Sequence, residues 1–331
     1  MSLYHPPFTV TDKALNLIVD IGESLGRLSA DNEQNHQLKL RKINRMRTIQ
    51  GSLAIEGNTL SVEQMTDIVD GKRVIAPKKE IQEVHNANLA YETLPNWQPI
   101  IEGDLLSAHR IMMKDLIKEV GVYRSTGVGV MSGSKVIHMA PPENRVPLLM
   151  KELFTWLKNT TTHPLIISSV FHYEFEFIHP FADGNGRIGR LWQTLILSKW
   201  NPIFSDIPIE NLVYQNQMKY YSAIRQSTEL ANSSPFIEFM LDMILNSVHS
   251  LLEMEGINAG INEGIKITQL DHSILNLIKQ SKFITNVQMA EKLNKATSTI
   301  ERRIKVLKDN NIIHRIGAKK NGHWKIAGYI I

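Results

Sequence analysis

The stretch His179-Pro-Phe-Ala-Asp-Gly-Asn-Gly-Arg-Ile-Gly-Arg190 constrains this chain more than any other. Upstream of it, residues 165–178 carry Ile166, Val170, Tyr173 and Phe177 on one helical stripe, which delivers His179 at a helix end. Downstream, Ile188, Leu191, Trp192, Leu195 and Ile196 recur at the spacing of a second helix. The glycine-rich turn between them sits at that helix's N-terminus, where unpaired N–H groups and the helix dipole favour an anion. Glycines let those N–H groups approach closely, and Arg187 and Arg190 share one helix face. Asp183 offers hard oxygen to a divalent cation such as Mg²⁺, and His179 is a group able to take a proton from an attacking hydroxyl. A Gly-Asn-Gly turn alone is ordinary loop chemistry. Base, cation ligand, anion cradle and paired arginines together describe a site for moving a phosphate-containing group.

With 331 residues the chain is long enough for two or three domains. It contains no cysteine, which excludes disulfides, thiolate chemistry and cysteine-type zinc sites. No apolar run reaches the ~18 residues of a membrane span and no signal-peptide pattern opens the chain, so the expectation is a cytoplasmic protein with no membrane partner. Charge is uneven. Residues 265–331 hold 13 Lys and Arg against 4 Asp and Glu, a net +9, so the total of +4 leaves −5 on residues 1–264.

Ser52-Leu-Ala-Ile-Glu56-Gly57-Asn58 follows a Lys- and Arg-rich helical stretch from Gln37, and Gly57 ends that helix. Read from its residues alone, Glu56 is a solvated carboxylate at a helix end. Further on, Val128-Gly129-Val130-Met131 and Val136-Ile137-His138-Met139 flank a Ser-Gly turn and read as a small hairpin closed by Pro141-Pro142. His172 stands seven residues before His179; without a third ligand or an HExxH pattern it reads as a packed core histidine rather than half of a zinc pair. A helical pattern spans Asn211 to Leu230 and includes Asn216, Tyr220 and Tyr221, for which core packing is the simplest role.

His179 to Arg190 resembles, at every fixed position, the signature H-x-F-x-D/E-G-N-G-R-x-x-R of the Fic (filamentation induced by cAMP) family. The resemblance implies a mainly α Fic-type helical core and a protein adenylyltransferase that moves AMP from ATP to a Ser, Thr or Tyr hydroxyl of a target protein, or of itself. It implies His179 as general base, Phe181 as the loop's apolar anchor and Asp183 as the Mg²⁺ ligand. Gly184, Asn185 and Gly186 would form the anion hole, Arg187 a diphosphate clamp and Arg190 the γ-phosphate partner. Ser52-x-x-x-Glu56-Gly57 resembles the inhibitory motif S/T-x-x-x-E-G/N of the class with an N-terminal inhibitory helix, here residues 40–57. The resemblance pairs Glu56 with Arg190. It makes the hairpin a flap that registers the target by strand addition, with Val128, Gly129, Val130 and Met131 bordering the nucleotide. Tyr220, Tyr221 and Asn216 become nucleotide contacts, and Tyr4 to Thr9 a segment packed on the core. Transfer of UMP, phosphate or phosphocholine, and de-AMPylation with Glu56 positioning water, stay open, as does a homodimer.

The texture changes again after Met254-Glu-Gly-Ile-Asn-Ala-Gly260, which reads as a turn-rich linker. Helical patterns over 271–281, 286–294 and 297–310 precede two short strands, Ile312 to Ile316 and His323 to Ile326, around Lys319-Lys-Asn-Gly322. Three helices and a hairpin resemble a winged helix-turn-helix. Ala296 to Arg303 would open the recognition helix, with Lys319, Lys320 and Lys325 reaching phosphates from the wing. Such modules bind DNA or protein, and both partners remain open. The domains expected are therefore an N-terminal helical region (1–100), a catalytic core (101–255) and a winged-helix domain (265–331). The rival to an enzyme is a DNA-binding regulator whose core is a nucleotide sensor.

Overall fold

The computed structural model describes residues 4–30, 37–127, 129–132, 135–262, 268–309, 312–316 and 322–326. Its elements run, in chain order, α1 (Asp12–Ala30), α2 (Gln37–Ile55), α3 (Val62–Val69), α4 (Lys78–Thr93), α5 (Glu102–Met112), β1 (Gly129–Ser132), β2 (Lys135–Met139), α6 (Val146–Asn159), α7 (Pro164–Ile178) and α8 (Asn185–Trp200). There follow α9 (Ile209–Gln215), α10 (Gln217–Glu229), α11 (Ser234–Asn262), α12 (Gln269–Gln280), α13 (Asn286–Lys292), α14 (Thr297–Asp309), β3 (Ile313–Ile316) and β4 (His323–Ile326). The chain is mainly helical, with one hairpin in each of two compact units, residues 1–248 and 249–331. Among the described residues no helix is long and apolar enough to cross a membrane.

The first unit is organised around α7 and α8, which pack on one another and are flanked by α2, α5 and α6. α7 is buried on nearly every face, Ser168, Ser169 and His172 included, beyond the single stripe its apolar residues describe. A helix apolar all round becomes the centre of a core rather than its wall. Pro164 starts it, and it stops at His179, whose φ of 51° and ψ of 61° are left-handed and which precedes Pro180. Phe154, Phe171, Phe175, Phe181 and Trp192 fill the space around the pair. The opening segment docks as expected: Tyr4 donates to Glu174 at 2.8 Å, and Thr11 to Glu238 at 2.7 Å.

Two elements differ from their sequence patterns. The pattern over Asn211 to Leu230 is two helices, broken at Asn216 (φ −113°, ψ 28°), whose side chain donates back to the Leu212 carbonyl at 3.0 Å. Asn competes with a helix in this way by bonding local backbone. Met254 to Gly260 is not a turn region: α11 continues through it to Asn262. Gly256 and Gly260 each cost a helix only ~1 kcal/mol, and no proline interrupts the run.

The hairpin pairs β1 and β2 antiparallel, with a register shift between Val130 and Met131; Val128 and the Gly133-Ser134 turn lie outside the described residues. The second unit is a three-helix cluster plus β3–β4. Capping boxes at Thr268 and Thr285 start α12 and α13. Ile274, Ile300, Leu307, Ile313 and Trp324 centre its core, and Trp324 Nε1 donates to the Ile284 carbonyl at 2.9 Å. Lys319 and Lys320 lie outside the described residues.

α2 is seated on α9 by a backbone contact: a Cβ at Gly51 would lie 2.5 Å from the Asn211 nitrogen. Gly51→Ala is therefore expected to destabilise the chain by ~1–3 kcal/mol, read as a lower urea midpoint. An unchanged midpoint would refute the close approach.

Candidate active site

The end of α7 presents His179, and its strained backbone is held by a side chain from elsewhere. Arg124 is buried and donates from Nε to the His179 carbonyl at 2.7 Å and from Nη2 to the Ile178 carbonyl at 3.3 Å. Its other bonds reach the carbonyls of Thr126 at 3.0 Å and Pro141 at 2.5 Å, on either side of the hairpin. A single guanidinium thus ties the helix end to the bases of the hairpin. The turn that follows is braced internally: Asn185 accepts from Phe181 N and donates to Phe181 O, both at 2.8 Å. Phe181 is fully buried and stacks on His109 at 3.7 Å between ring centroids. His109 accepts from Gly121 N at Nδ1 (2.8 Å), so Nε2 is its donor, and that nitrogen meets the Asp183 carbonyl at 3.0 Å. Burial lowers the His109 pKa to about 4, which keeps this bridge neutral.

α8 starts at Gly184, whose φ of 85° suits glycine and whose Cβ would strike Met113. The first N–H groups of such a helix have no acceptor within it. Arg187 and Arg190 rise from this turn and are both buried. Arg187 donates from Nη2 to Asp183 Oδ1 at 3.1 Å and lies 3.5 Å from Glu83 of α4. Arg190 donates to the hydroxyl and carbonyl of Ser52, at 3.1 and 3.0 Å, and to Glu56 Oε1 at 2.7 Å. Burial works against the Arg190 charge, but Glu56, Tyr220 and Glu176 around it raise its pKa on balance. A Cβ at Gly186 would lie 2.5 Å from Glu56 Oε1. The carboxylate of Glu56 therefore occupies the space over the first turn of α8, the place a helix N-terminus offers to an anion.

A further carboxyl lies beneath. Glu176 lies 3.9 Å from His179 Nδ1 and 3.9 Å from His172 Nε2. Burial pushes it up to about 8, opposed by Arg190 and reinforced by Glu56. His172 is a core histidine, as its sequence setting suggested. It bridges Gln193 Oε1 at 2.6 Å and the Tyr220 hydroxyl at 3.1 Å, with its pKa lowered to about 3 by burial.

The structure gathers His179, Asp183, Gly184, Asn185, Gly186, Arg187 and Arg190 in one turn and brings Ser52 and Glu56 against Arg190, with Gly57 following at the end of α2. Asp183 is exposed, whereas Asn185, Arg187 and Arg190 are buried. Tyr220 is buried among His172, Tyr221, Phe236 and Phe239. Tyr221 and Asn216 are half-buried. Gly129, Val130 and Met131 lie in β1, and Val128 lies outside the described residues. Sequence reasoning missed Glu83, His109, Arg124 and Glu176. None stands inside a short motif; Glu83, His109 and Arg124 are revealed only by contacts between distant elements, whereas Glu176 stands at helical spacing from His172 and His179.

A helix end, a glycine turn and two buried arginines meet at the centre of a helical unit. A Fic/DOC family model matches residues 99–197, and a winged helix-turn-helix DNA-binding model matches residues 267–314. A Fic family protein from Desulfovibrio desulfuricans G20 is 40% identical, with 99% of this chain and all of that one aligned at a TM-score of 0.75. The chain belongs to the Fic family. The protein adenylyltransferases Fic of Drosophila grimshawi and Drosophila erecta are 28% and 30% identical over 241 and 226 residues, 68% and 65% of this chain. The chain spans less than half of their length, 47% and 43% respectively. Fic-1 of C. elegans, at 23% identity, shares the fold with a TM-score of 0.60 over 74% of each chain.

Glu176 gives the fold a pH dependence. A carboxyl whose folded pKa is raised contributes stability below the ordinary carboxylate range, and that contribution is lost as pH rises towards about 8. Glu176→Gln is therefore expected to flatten the decline in denaturation midpoint between about pH 5 and about pH 8. The buried Glu174, pushed up to about 7, adds to the decline, and His109 and His172, lowered from 6.5 to about 4 and about 3, oppose it below about pH 6.5, so the test compares the slope of the variant with that of the wild type. A variant with the full wild-type slope would refute the assignment.

Proposed function

We propose that this chain is a protein adenylyltransferase restrained by its own Glu56. The observation that carries the reading is the Glu56–Arg190 bond of 2.7 Å, made over the open first turn of α8. ATP laid on that turn would direct its diphosphate to Arg187 and its γ-phosphate to Arg190. With Arg190 held by Glu56 and Ser52, the γ-phosphate loses its partner and the nucleotide binds unproductively. Once Glu56 withdraws, the acceptor oxygen of a Ser, Thr or Tyr attacks the α-phosphorus and its proton passes to His179. The bond from the α-phosphorus to the bridging oxygen breaks, and pyrophosphate leaves. Glu176 on the Nδ1 side of His179 leaves Nε2 as the proton acceptor. Asn216 and Tyr221 border the adenine, with Tyr220 fixing Tyr221 from behind.

Asp183 fits a Mg²⁺ that arrives with the nucleotide: it is one exposed hard carboxylate beside the anion cradle, and Mg²⁺ is commonly held by one or two carboxylates plus substrate phosphates. When bound, the ion neutralises phosphate charge. The target lies along the hairpin by strand addition, since a two-stranded sheet has outer edges to extend. The chain itself, in a homodimer or otherwise, is one such target, and the cytoplasm is the expected compartment.

The winged-helix unit favours a second role, DNA binding, that addresses the enzyme rather than replaces it. α14 exposes Ser298, Glu301, Arg302, Lys305 and Lys308, and residues 265–331 carry the net +9.

Glu56→Gly is expected to raise incorporation of label from α-³²P-ATP with Mg²⁺ by about tenfold or more, as removal of a transition-state restraint of ~1.4 kcal/mol would. Adding His179→Ala should reduce it by ~10²–10⁴-fold. Equal labelling in Glu56→Gly and wild type ends the restraint reading; an active His179→Ala protein ends the assignment of the base. Loss of label from a pre-modified target would instead mark the reverse reaction, and label from UTP another transferred group. For DNA, the pair Arg302→Ala and Lys305→Ala should weaken a mobility shift by about tenfold and reduce its salt dependence. A shift indifferent to salt and to both substitutions would exclude the helix as the DNA contact.

A further inference from the structure

Arg187 is 4% exposed, and among the described residues its Nε and Nη1 atoms have no hydrogen-bond partner. Only Nη2 is bonded, to Asp183 at 3.1 Å. Buried guanidinium charge needs a counter-charge, and buried donors without acceptors are costly. Glu83 supplies the counter-charge from α4: its Oε1 lies 3.5 Å from Arg187 Nη1, an ion pair that makes no hydrogen bond. The other oxygen of Glu83 accepts from Asn58 Nδ2 at 2.9 Å, and Asn58 Oδ1 accepts from Leu60 N at 3.1 Å. Glu83 and Asn58 are themselves buried, 7% and 6% exposed, with Lys79 3.9 Å from Glu83 at the rim.

We infer that Glu83 is a positioning residue for Arg187: it neutralises and orients the guanidinium while leaving two buried donors for the diphosphate. Asn58 locks Glu83 in that orientation. Because Asn58 lies two residues past Glu56, one short turn addresses both arginines, Arg190 directly through Glu56 and Arg187 through Asn58 and Glu83. A diphosphate presents charged oxygens that can accept from each of these donors. The inference rests on the reading of Arg187 as the diphosphate ligand.

The test uses the full chain carrying Glu56→Gly and compares its affinities for ADP and AMP by calorimetry. If Arg187 binds the diphosphate, this parent prefers ADP. Adding Glu83→Gln, which keeps the shape and the acceptor for Asn58 but removes the charge, should weaken ADP by about tenfold, the scale of one charge-assisted hydrogen bond, and leave AMP unchanged. Glu83→Asp, which restores the charge, should recover part of the loss, and Asn58→Ala should reproduce it in part. An ADP preference intact in Glu83→Gln overturns the inference. So does equal weakening of ADP and AMP, the mark of a merely structural role. A parent with no preference for ADP instead removes Arg187 as the diphosphate ligand and so sinks the underlying reading itself.

Discussion

Two guanidinium groups are buried three residues apart at the positive end of one helix, and nearly everything around the site answers that electrostatic demand. Like charges at a helix N-terminus, shielded from water, need negative charge drawn from other elements. The chain recruits it from three directions: Asp183 within the turn, Glu83 from α4 and Glu56 from the end of α2. Glu56 alone of the three lies over the first turn of α8, where a helix N-terminus offers itself to an anion. Asp183 and Glu83 balance Arg187 from the side.

The turn itself was legible because its chemistry is local. Helix end, glycines, Asp183 and both arginines lie within one turn of chain, and each needs only its neighbours to fold. Glu56 was legible only through a resemblance; its surroundings in the sequence describe a solvated carboxylate, and the partner that changes this stands 134 residues away. Arg124, His109, Glu83 and Glu176 were not legible at all. Arg124, His109 and Glu83 work between distant elements, by bonds to carbonyls or by charge, and leave no spacing; Glu176 stands at i+4 from His172 and three before His179 on one helix, but its burial, which gives it its role, leaves no mark in the sequence. The break at Asn216, made by its own side chain on the Leu212 carbonyl, and the run of α11 through two glycines mark the opposite limit, where local preferences are small and spacing alone does not fix a helix boundary.

The second unit was legible for a different reason. Its core repeats the alternation its sequence carries, and its caps are Thr-x-x-Asp and Thr-x-x-Gln boxes that can be read directly. Asp271 serves twice there, closing the cap of α12 and receiving Arg303 from α14. One basic residue of α14 is thereby spent on folding, and its exposed basic charge is carried by Arg302, Lys305 and Lys308.

The close seat of Gly51 on α9 sets how α2 can move. α2 cannot slide as a rod without parting two backbones in van der Waals contact. Six residues later the situation reverses: Gly57 has a φ of 92°, and a Cβ there would meet nothing within 4 Å. The end of α2 is thus a fixed post with a pivot at its tip, where unwinding the last turn alone would part Glu56 from Arg190. A movement of that size needs only a few rotations about main-chain bonds, with no rearrangement of the core on which the helix stands.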